Sequence, residues 1–193
     1  MSNTAEDPDR YHLVLISADG VDTRPEVDRI IREHLDKRWG VWLARRGDQE
    51  PSTLYRDAVT SNWNVTPGQV WLSSNAREVL ESTANQVAGA VLADPLATSA
   101  MFGTPELVVL DDVDPAHLFD QVWAESDPAT GDLSRVLAHG ESCGFRILFA
   151  LTAAELGNLS PVLRGSLVRY AEIRWFDRGP DGATHARPGS ITV

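Results

Sequence analysis

The sequence predicts an α/β protein: a three-layer sandwich around a mostly parallel sheet of about six strands. Six short apolar runs rich in Val, Ile, Leu and Trp recur along its 193 residues. Longer stretches with helical spacing of apolar residues separate these runs, which is the pattern of βα units rather than of hairpins. The fourth run, ELVVL at residues 106–110, is apolar on consecutive positions. Such runs are expected where helices cover both faces of a parallel sheet.

The six runs give the predicted strands in chain order. Each is bounded by polar residues, glycine or the start of a helical pattern, as buried strands usually are. They lie at residues 12–17 (HLVLIS), 40–44 (GVWLA), 69–73 (QVWLS), 106–110 (ELVVL), 145–151 (FRILFAL) and 171–176 (AEIRWF).

Two predicted helices have well-marked starts. After the first strand, Thr23 and Glu26 have the spacing of a capping box, and Pro25 suits a first helical turn. After the third strand, Asn75 and Glu78 have the same spacing. The apolar stripes of the two helices are Val27, Ile30, Ile31 and Leu35, and Val79, Leu80, Thr83, Val87 and Val91.

The remaining helical stretches are less regular. Residues 51–63 have weak helical periodicity, and Asp94-Pro95 is expected to end the helix that precedes the fourth strand. Further helices are predicted at residues 115–124 and 133–139, and a longer one around residues 153–169.

The length indicates one domain, which we place at residues 11–177. Residues 1–10 are polar and charged, and residues 178–193 are rich in Gly, Pro and small polar side chains. Both ends are therefore predicted to be weakly ordered tails.

Composition disfavours several classes of protein. Acidic residues outnumber basic ones by 28 to 17, for a formal charge of −11, which disfavours direct binding to nucleic acid. The single cysteine, Cys143, excludes an intramolecular disulfide, and the histidines have no metal-binding spacing, so no metal site is predicted. No apolar run is long enough for membrane insertion and no signal peptide is present, so we expect a cytoplasmic protein.

Three polar loops follow predicted strands at the edge where ligands bind in such sheets. They are S-A-D-G-V-D-T-R at residues 17–24, D-D-V-D at residues 111–114 and T-A-A-E at residues 152–155. Arg45 and Arg46 also follow a strand, and we interpret them as part of a solvated loop.

The order and spacing of these stretches resemble the core of P-loop ATPases, and most closely the FtsK/SpoIIIE/HerA branch, which includes the ATPase domains of type VII secretion. The resemblance covers roughly residues 12–176. L-V-V-L-D-D-V-D resembles the Walker B motif, which implies that Asp111 holds Mg²⁺ through water and Asp112 orients the attacking water. G-F-R-I-L-F-A-L-T-A resembles the family stretch G-I-H-L-x-x-A-T-Q, so that Thr152 takes the threonine position and Ala153 stands where the family has a sensor glutamine.

The Walker A position departs from the family pattern. That motif reads G-x-x-x-x-G-K-[ST], because its glycines let backbone N–H groups wrap the phosphates and its lysine neutralises charge. Here Gly20 is the one residue that looks like the family, while Asp22 replaces the second glycine, Thr23 the lysine and Arg24 the hydroxyl residue. The single lysine, Lys37, lies about 20 Å further along the helix.

The charges at this loop also oppose nucleotide binding. Asp19, Asp22 and Glu26 place three carboxylates where a triphosphate would lie, and Arg24 offsets one of them. A carboxylate at a helix N-terminus occupies the place of an anionic ligand. We therefore hypothesise that the protein's own side chains cap this helix. A purely structural interpretation also exists for the acidic run, since Asp111, Asp112 or Asp114 could cap a helix starting at Pro115.

The favoured hypothesis is a non-catalytic domain, a pseudo-ATPase without cofactor. It would act as a structural or regulatory protein-interaction subunit of a larger bacterial assembly, such as a secretion, conjugation or phage-related machine. The expected partner is a protein, such as a paralogous ATPase or an assembly component, and a homo-oligomer is compatible with this role.

Two alternatives stay open. One is an ATPase that uses ATP and Mg²⁺ through an atypical loop, with Arg24 or a neighbouring subunit's arginine in place of the lysine. The other is a Rossmann-like or flavodoxin-like module for a small ligand. Strand order separates them, because P-loop motors place the acidic strand beside the first strand or one strand away, whereas flavodoxins have the order 2-1-3-4-5.

Overall fold

The computed structural model describes residues 12–45, 50–93, 104–111 and 128–192, with side chains in the last range described from residue 131. The predicted N-terminal tail at residues 1–10, the predicted helix at 115–124 and the candidate site residue Asp112 lie outside these ranges.

Eight strands within the described residues make one sheet, and their sequences explain where they form. The central strands consist of consecutive apolar residues that are buried throughout, as in β1, which is HLVLIS. The strands are β1 His12–Ser17, β2 Gly40–Arg45, β3 Val59–Thr60, β4 Val70–Ser73, β5 Glu106–Asp111, β6 Phe145–Thr152, β7 Ala171–Arg178 and β8 Thr184–Pro188.

Five described α-helices connect the strands or follow them. They are α1 Arg24–Asp36, α2 Ala76–Ala93, α3 Pro128–His139, α4 Ala153–Asn158 and α5 Pro161–Tyr170. The described residues also include two single-turn 3₁₀ helices, at Arg56–Ala58 and Glu141–Cys143. Among the described residues, no helix combines the length and the apolar character needed to cross a bilayer.

The helices cover both faces of the sheet, which confirms the predicted three-layer α/β sandwich. Alternate residues of β1 point to opposite layers: Leu13 and Leu15 belong to one buried cluster, Val14 and Ile16 to the other. The first cluster includes the apolar stripe of α1. The second includes buried residues of α2, α3 and α5.

The order of the strands is β3-β4-β2-β5-β6-β1-β7-β8, parallel except for β8, which is antiparallel to β7. The acidic strand β5 is thus one strand away from β1, with β6 between them. This is the order expected for a P-loop motor. In flavodoxin-like and Rossmann folds β1 lies beside β2, whereas here β1 lies between β6 and β7. The Rossmann-like or flavodoxin-like alternative is therefore wrong.

The six predicted strands are all present within two residues at each end, and the structure adds β3 and β8. Strand β3 has two residues. Strand β8 falls within the stretch predicted to be a tail, and all five of its side chains are exposed. It therefore lacks the apolar alternation that marks a half-buried strand in a sequence.

Two predicted helices need correction. The helix at residues 51–63 does not form, since this stretch holds one 3₁₀ turn and β3 and buries Tyr55 as a single large anchor. The helix around residues 153–169 is two helices, because the chain is extended at Leu159 and Ser160. Ser160 restarts the helix by accepting a hydrogen bond from the Leu163 N–H, with Pro161 in the first turn.

Candidate functional site

A cavity of about 130 Å³ lies where β1, β5 and β6 end and α1 begins. We call it the strand-end cavity. It brings together five of the predicted site residues, and Ser17 and Glu155 are among the other residues that line it. The five are Asp22, Thr23, Arg24, Asp111 and Thr152.

The loop from β1 to α1 is held by a tight turn. The Val21 N–H donates to the Ala18 carbonyl over 3.1 Å, and Gly20 has a φ of +74°. A positive φ at the third residue of a turn with this hydrogen bond is the feature of a type II turn, which favours glycine. Asp19 and Gly20 belong to this turn and are exposed, outside the lining of the cavity. The turn uses the Val21 N–H internally, so this group does not point to a ligand.

Asp22, and not Thr23, caps the start of α1. The Arg24 N–H donates to Asp22 Oδ1 over 2.9 Å. Thr23 has helical backbone angles and makes no side-chain cap bond. The predicted Thr23–Glu26 capping box is therefore wrong. A carboxylate of the protein itself lies at the N-terminal end of the α1 dipole, where an anion would otherwise bind.

The Glu26 carboxylate is bound to Arg29. Its two carboxylate oxygens accept hydrogen bonds from Arg29 over 2.6 and 2.7 Å. These bonds, and the nearby Arg174, hold the pKa of Glu26 below its ordinary value. Glu26 thus stays ionised, its charge is compensated by Arg29, and it does not line the strand-end cavity as the predicted third carboxylate.

The carboxylate of Asp111, the predicted Walker B acid, is bound to a buried arginine. Arg45 Nε and Nη2 both lie 2.6 Å from Asp111 Oδ2. The two residues are paired in register at the ends of β2 and β5, and both are buried. The interpretation of Arg45 as a solvated loop residue is therefore wrong. The carboxylate to which the resemblance assigns a water-linked Mg²⁺ thus binds a guanidinium of the protein itself.

Asp28 and Tyr55 complete this buried cluster. Arg45 Nη2 lies 3.0 Å from Asp28 Oδ1, which also accepts a hydrogen bond of 3.0 Å from the Tyr55 hydroxyl. Burial opposes the charge of Arg45, but Asp111, Tyr55 and Asp28 outweigh it and raise the pKa of the guanidinium. Burial, only partly opposed by Arg45, raises the pKa of Tyr55 to about 12. We call Arg45, Asp111, Asp28 and Tyr55 the arginine cluster.

Thr152, the predicted sensor-position threonine, caps α4. Its Oγ1 accepts a hydrogen bond of 3.1 Å from the Glu155 N–H, and Glu155 Oε2 accepts one of 2.6 Å from the Thr152 N–H. This is a complete capping box. Glu155 was not predicted as a site residue, although the T-A-A-E spacing is the sequence signature of such a box.

The strand-end cavity is small. Binding sites for small molecules are usually about 300–1,000 Å³, well above the 130 Å³ of this cavity. Three carboxylates, Asp22, Asp111 and Glu155, line it together with Arg24. Within the described residues, no group of three or more His, Cys, Asp or Glu side chains could hold a metal ion.

The strand order, with one strand between β1 and the acidic strand β5, agrees with the P-loop NTPase-like fold of the solved structures that match this chain. No protein-family model matches the chain, and no curated protein matches its sequence. Solved structures do match, at low sequence identity.

Three solved structures illustrate the match. EssC (ATPases 2 and 3) from Geobacillus thermodenitrificans has a TM-score of 0.56 and 9% identity, over 94% of this chain and 38% of that one. The genome packaging NTPase B204 from Sulfolobus turreted icosahedral virus 2, in complex with ATP-gammaS, has a TM-score of 0.55 and 13% identity, over 91% and 79%. The cytoplasmic domain of the Thermomonospora curvata type VII secretion ATPase EccC has a TM-score of 0.52 and 14% identity, over 94% and 21%.

The chain therefore spans well under two thirds of the EssC and EccC structures and most of the B204 structure. At these identities the likeness establishes the fold alone.

Proposed function

We propose that this chain is a pseudo-ATPase: a domain with the FtsK/HerA-type fold that does not bind nucleotide and acts as a structural or regulatory subunit through protein contacts. The observation that carries the proposal is the pairing of Asp111 with Arg45 over 2.6 Å. A Walker B carboxylate must be available to Mg²⁺ and its water. Here its charge is neutralised by a guanidinium that belongs to the fold.

The hydrogen bonds of the loop between β1 and α1 support the same proposal. Asp22 accepts the Arg24 N–H, and the Val21 N–H is used in the turn. Backbone N–H groups and a lysine form the phosphate site of a working Walker A loop. In this chain the corresponding backbone groups bind the protein itself, and Thr23 stands at the lysine position.

The role in an assembly rests on the matched structures. Two of them are described as a type VII secretion ATPase and a genome packaging NTPase. We infer that this chain contributes a folded surface to a comparable bacterial machine, with a protein such as a paralogous ATPase as its partner.

Calorimetric titration with Mg-ATP tests the nucleotide part of the proposal. We expect no binding by the wild-type chain, either as a monomer or in any assembly identified by light scattering. A dissociation constant in the micromolar range or tighter, which corresponds to about 8 kcal/mol, would overturn it.

Two variants make the titration sharper. The Asp22→Gly, Thr23→Lys, Arg24→Thr variant restores the G-K-T end of the Walker A pattern and removes the cap carboxylate, so any phosphate affinity should increase relative to the wild type. If the wild type does bind ATP, the Arg24→Ala variant tests the alternative of an atypical loop. Arg24 lines the strand-end cavity, so its removal should then abolish binding.

The proposed role as a subunit with a protein partner has a separate test. The tagged chain, purified from its native host, should retain a protein at a fixed stoichiometry through size-exclusion chromatography. Recovery of the chain alone, under conditions that keep known complexes of that host intact, would contradict a role as an assembly subunit.

A further inference from the structure

The sequence contains two Asp-Gly pairs, and both lie in exposed turns. Asp19-Gly20 is in the turn between β1 and α1, and Asp181-Gly182 is in the turn between β7 and β8. In such a pair the backbone nitrogen of glycine can attack the aspartate side chain, because glycine has no side chain to block the approach and its backbone rotates freely. The two pairs have the same chemistry, so a difference in their reactivity must come from the structure around them.

The peptide group between Asp19 and Gly20 has no hydrogen bond in the described part of the chain. Neither the Gly20 N–H, the Asp19 carbonyl nor the Asp19 carboxylate has a partner there. The turn is closed by the bond from Val21 to Ala18, and Arg178 donates to the Gly20 carbonyl over 3.2 Å, but these bonds belong to the neighbouring peptide groups. The space around Gly20 is open. The peptide group can therefore rotate, as it does between type II and type I turns, without breaking a hydrogen bond.

The Asp181-Gly182 pair is held in place by several hydrogen bonds. The Gly182 N–H, which would have to attack, donates to the Gly179 carbonyl over 2.9 Å. Asp181 Oδ1 lies 3.1 Å from His185 Nε2 and accepts a hydrogen bond of 3.0 Å from the Ala183 N–H. The bonds from His185 and Ala183 hold the pKa of Asp181 below its ordinary value, which reduces the share of the protonated carboxyl. The protonated form is the one that readily loses a hydroxyl group, so both the nitrogen and the carboxyl are less reactive here.

We propose that Asp19 isomerises to isoaspartate in the folded protein, while Asp181 is protected. The Gly20 nitrogen forms a bond to Asp19 Cγ, and its proton leaves with the carboxyl hydroxyl as one water. A second water then adds to the backbone carbonyl carbon of Asp19, the bond from this carbon to the nitrogen breaks, and the nitrogen regains a proton. The chain now continues through the former side-chain carbonyl. One water is released and one is consumed, so the mass is unchanged and no enzyme or cofactor is needed.

Isomerisation changes the loop at the start of α1. Isoaspartate adds one methylene group to the backbone between residues 19 and 20. The turn that places the Val21 N–H 3.1 Å from the Ala18 carbonyl then has the wrong length, so the loop that leads to Asp22 and the strand-end cavity loosens. This inference goes beyond the proposed function and is separate from it, because it concerns neither nucleotide nor a partner.

The test is storage of the purified chain at physiological temperature and neutral pH, folded and, in parallel, unfolded in guanidinium chloride. Trypsin then places the two pairs on separate peptides, residues 11–29 and 179–193. Chromatography with electron-transfer fragmentation measures isoaspartate in each peptide. Folding should slow the reaction at Asp181 about tenfold or more, since several hydrogen bonds must break, and should slow it much less at Asp19.

Two variants check the cause of the difference. His185→Ala removes one of the bonds to Asp181, so it should speed isomerisation at Asp181 and leave the rate at Asp19 unchanged. Asp19→Glu removes the reactive site, because the longer side chain would have to close a less favourable six-membered ring. After storage this variant should keep its thermal unfolding midpoint, whereas the isoaspartyl fraction of the wild type, separated by ion exchange, should unfold at a lower temperature.

The proposal would be overturned if folding slowed the reaction at Asp19 as strongly as at Asp181, or if the folded sample contained no isoaspartate at Asp19. An isoaspartyl fraction as stable as the fresh protein would contradict the loosening of the loop.

Discussion

Arg45 and Asp111 stand opposite each other at the ends of β2 and β5, with the guanidinium 2.6 Å from the carboxylate. The two residues are 66 positions apart in the chain. Their pairing therefore depends on the strand order, which places β2 beside β5. The same carboxylate would be without this cation if an uncharged residue stood at the end of β2.

We expect the arginine cluster to be needed for stability. Arg45→Leu leaves Asp111 and Asp28 largely buried without their cation, and breaking such a pair costs about 3–5 kcal/mol. The Arg45→Leu, Asp111→Leu double variant removes the most buried charge pair, so it should lose clearly less stability than the sum of the two single variants. Urea unfolding of the wild type and the three variants measures this coupling.

The control for this cycle is Arg56→Leu, because Arg56 pairs with Glu50 on the surface. It should change the free energy of unfolding by less than about 1 kcal/mol. Additive effects of the Arg45 and Asp111 substitutions would contradict the coupled cluster.

Two glycine substitutions should have opposite effects. Gly20 has a φ of +74° and open space around it, so Gly20→Ala is expected to destabilise the fold by about 1 kcal/mol through backbone strain alone. Gly89 lies within α2, also with open space around it, and Gly89→Ala should stabilise by about 0.5–1 kcal/mol. Thermal unfolding of both variants decides this, and a loss of stability on Gly89→Ala or no loss on Gly20→Ala would contradict it.

Stability should decrease in mild acid because of His12. This residue is buried, its Nε2 donates to the Leu137 carbonyl and its Nδ1 accepts the Ile147 N–H, so the neutral ring fits both bonds. Burial, together with nearby Arg146 and against the bond to Leu137, lowers its pKa from 6.5 to about 4. Between these values the unfolded chain binds the proton and the folded chain does not. The contribution of His12 to the free energy of unfolding, about 3 kcal/mol, is therefore fully present above pH 6.5 and is lost as the pH falls toward 4.

Urea unfolding at a series of pH values between 4 and 7.5 measures this loss. The slope of the free energy of unfolding against pH measures the number of protons taken up on unfolding. In this window, His12→Gln should reduce that number by up to one, and it should also lower stability near neutral pH. His185→Gln changes an exposed histidine and should leave the His12 contribution to the slope in place. An unchanged slope in the His12 variant would show that other groups cause the acid sensitivity.

The capping box at α4 should be measurable as well. Thr152→Ala removes the acceptor of the Glu155 N–H bond and should cost about 1 kcal/mol, whereas Thr152→Ser retains the oxygen and should cost much less. Equal losses in the two variants, measured by thermal unfolding, would show that the methyl group of Thr152 matters more than its hydroxyl.

The sequence predicts the central sheet well because its strands are buried on both faces. Runs such as FRILFAL in β6 are apolar at nearly every position, and few other structures need that pattern. Strand β8 shows the limit of this signal, since an exposed edge strand has no apolar face to mark it. The Ser160-Pro161 start of α5, a cap followed by proline, is the local sequence signal for the division of the helix predicted around residues 153–169.

The candidate site was predicted only in part for a similar reason. Asp22, Asp111 and Thr152 follow strands, and the rule for parallel sheets places them at one edge. Arg45, Asp28 and Tyr55 come to Asp111 from a strand, a helix and a loop that are distant in the chain. No local pattern encodes that meeting, because it depends on the strand order and on packing in three dimensions.

The ends of the sheet have a consequence for self-association. At the described outer edges lie β3, with two residues, and β8, which carries charged Arg187 and ends at Pro188, a residue without a backbone N–H. Short strands, charges and proline at an edge discourage the backbone pairing through which sheets of neighbouring molecules join into fibrils. Such edges protect the chain from uncontrolled stacking through its backbone and leave the specificity of its contacts to side chains.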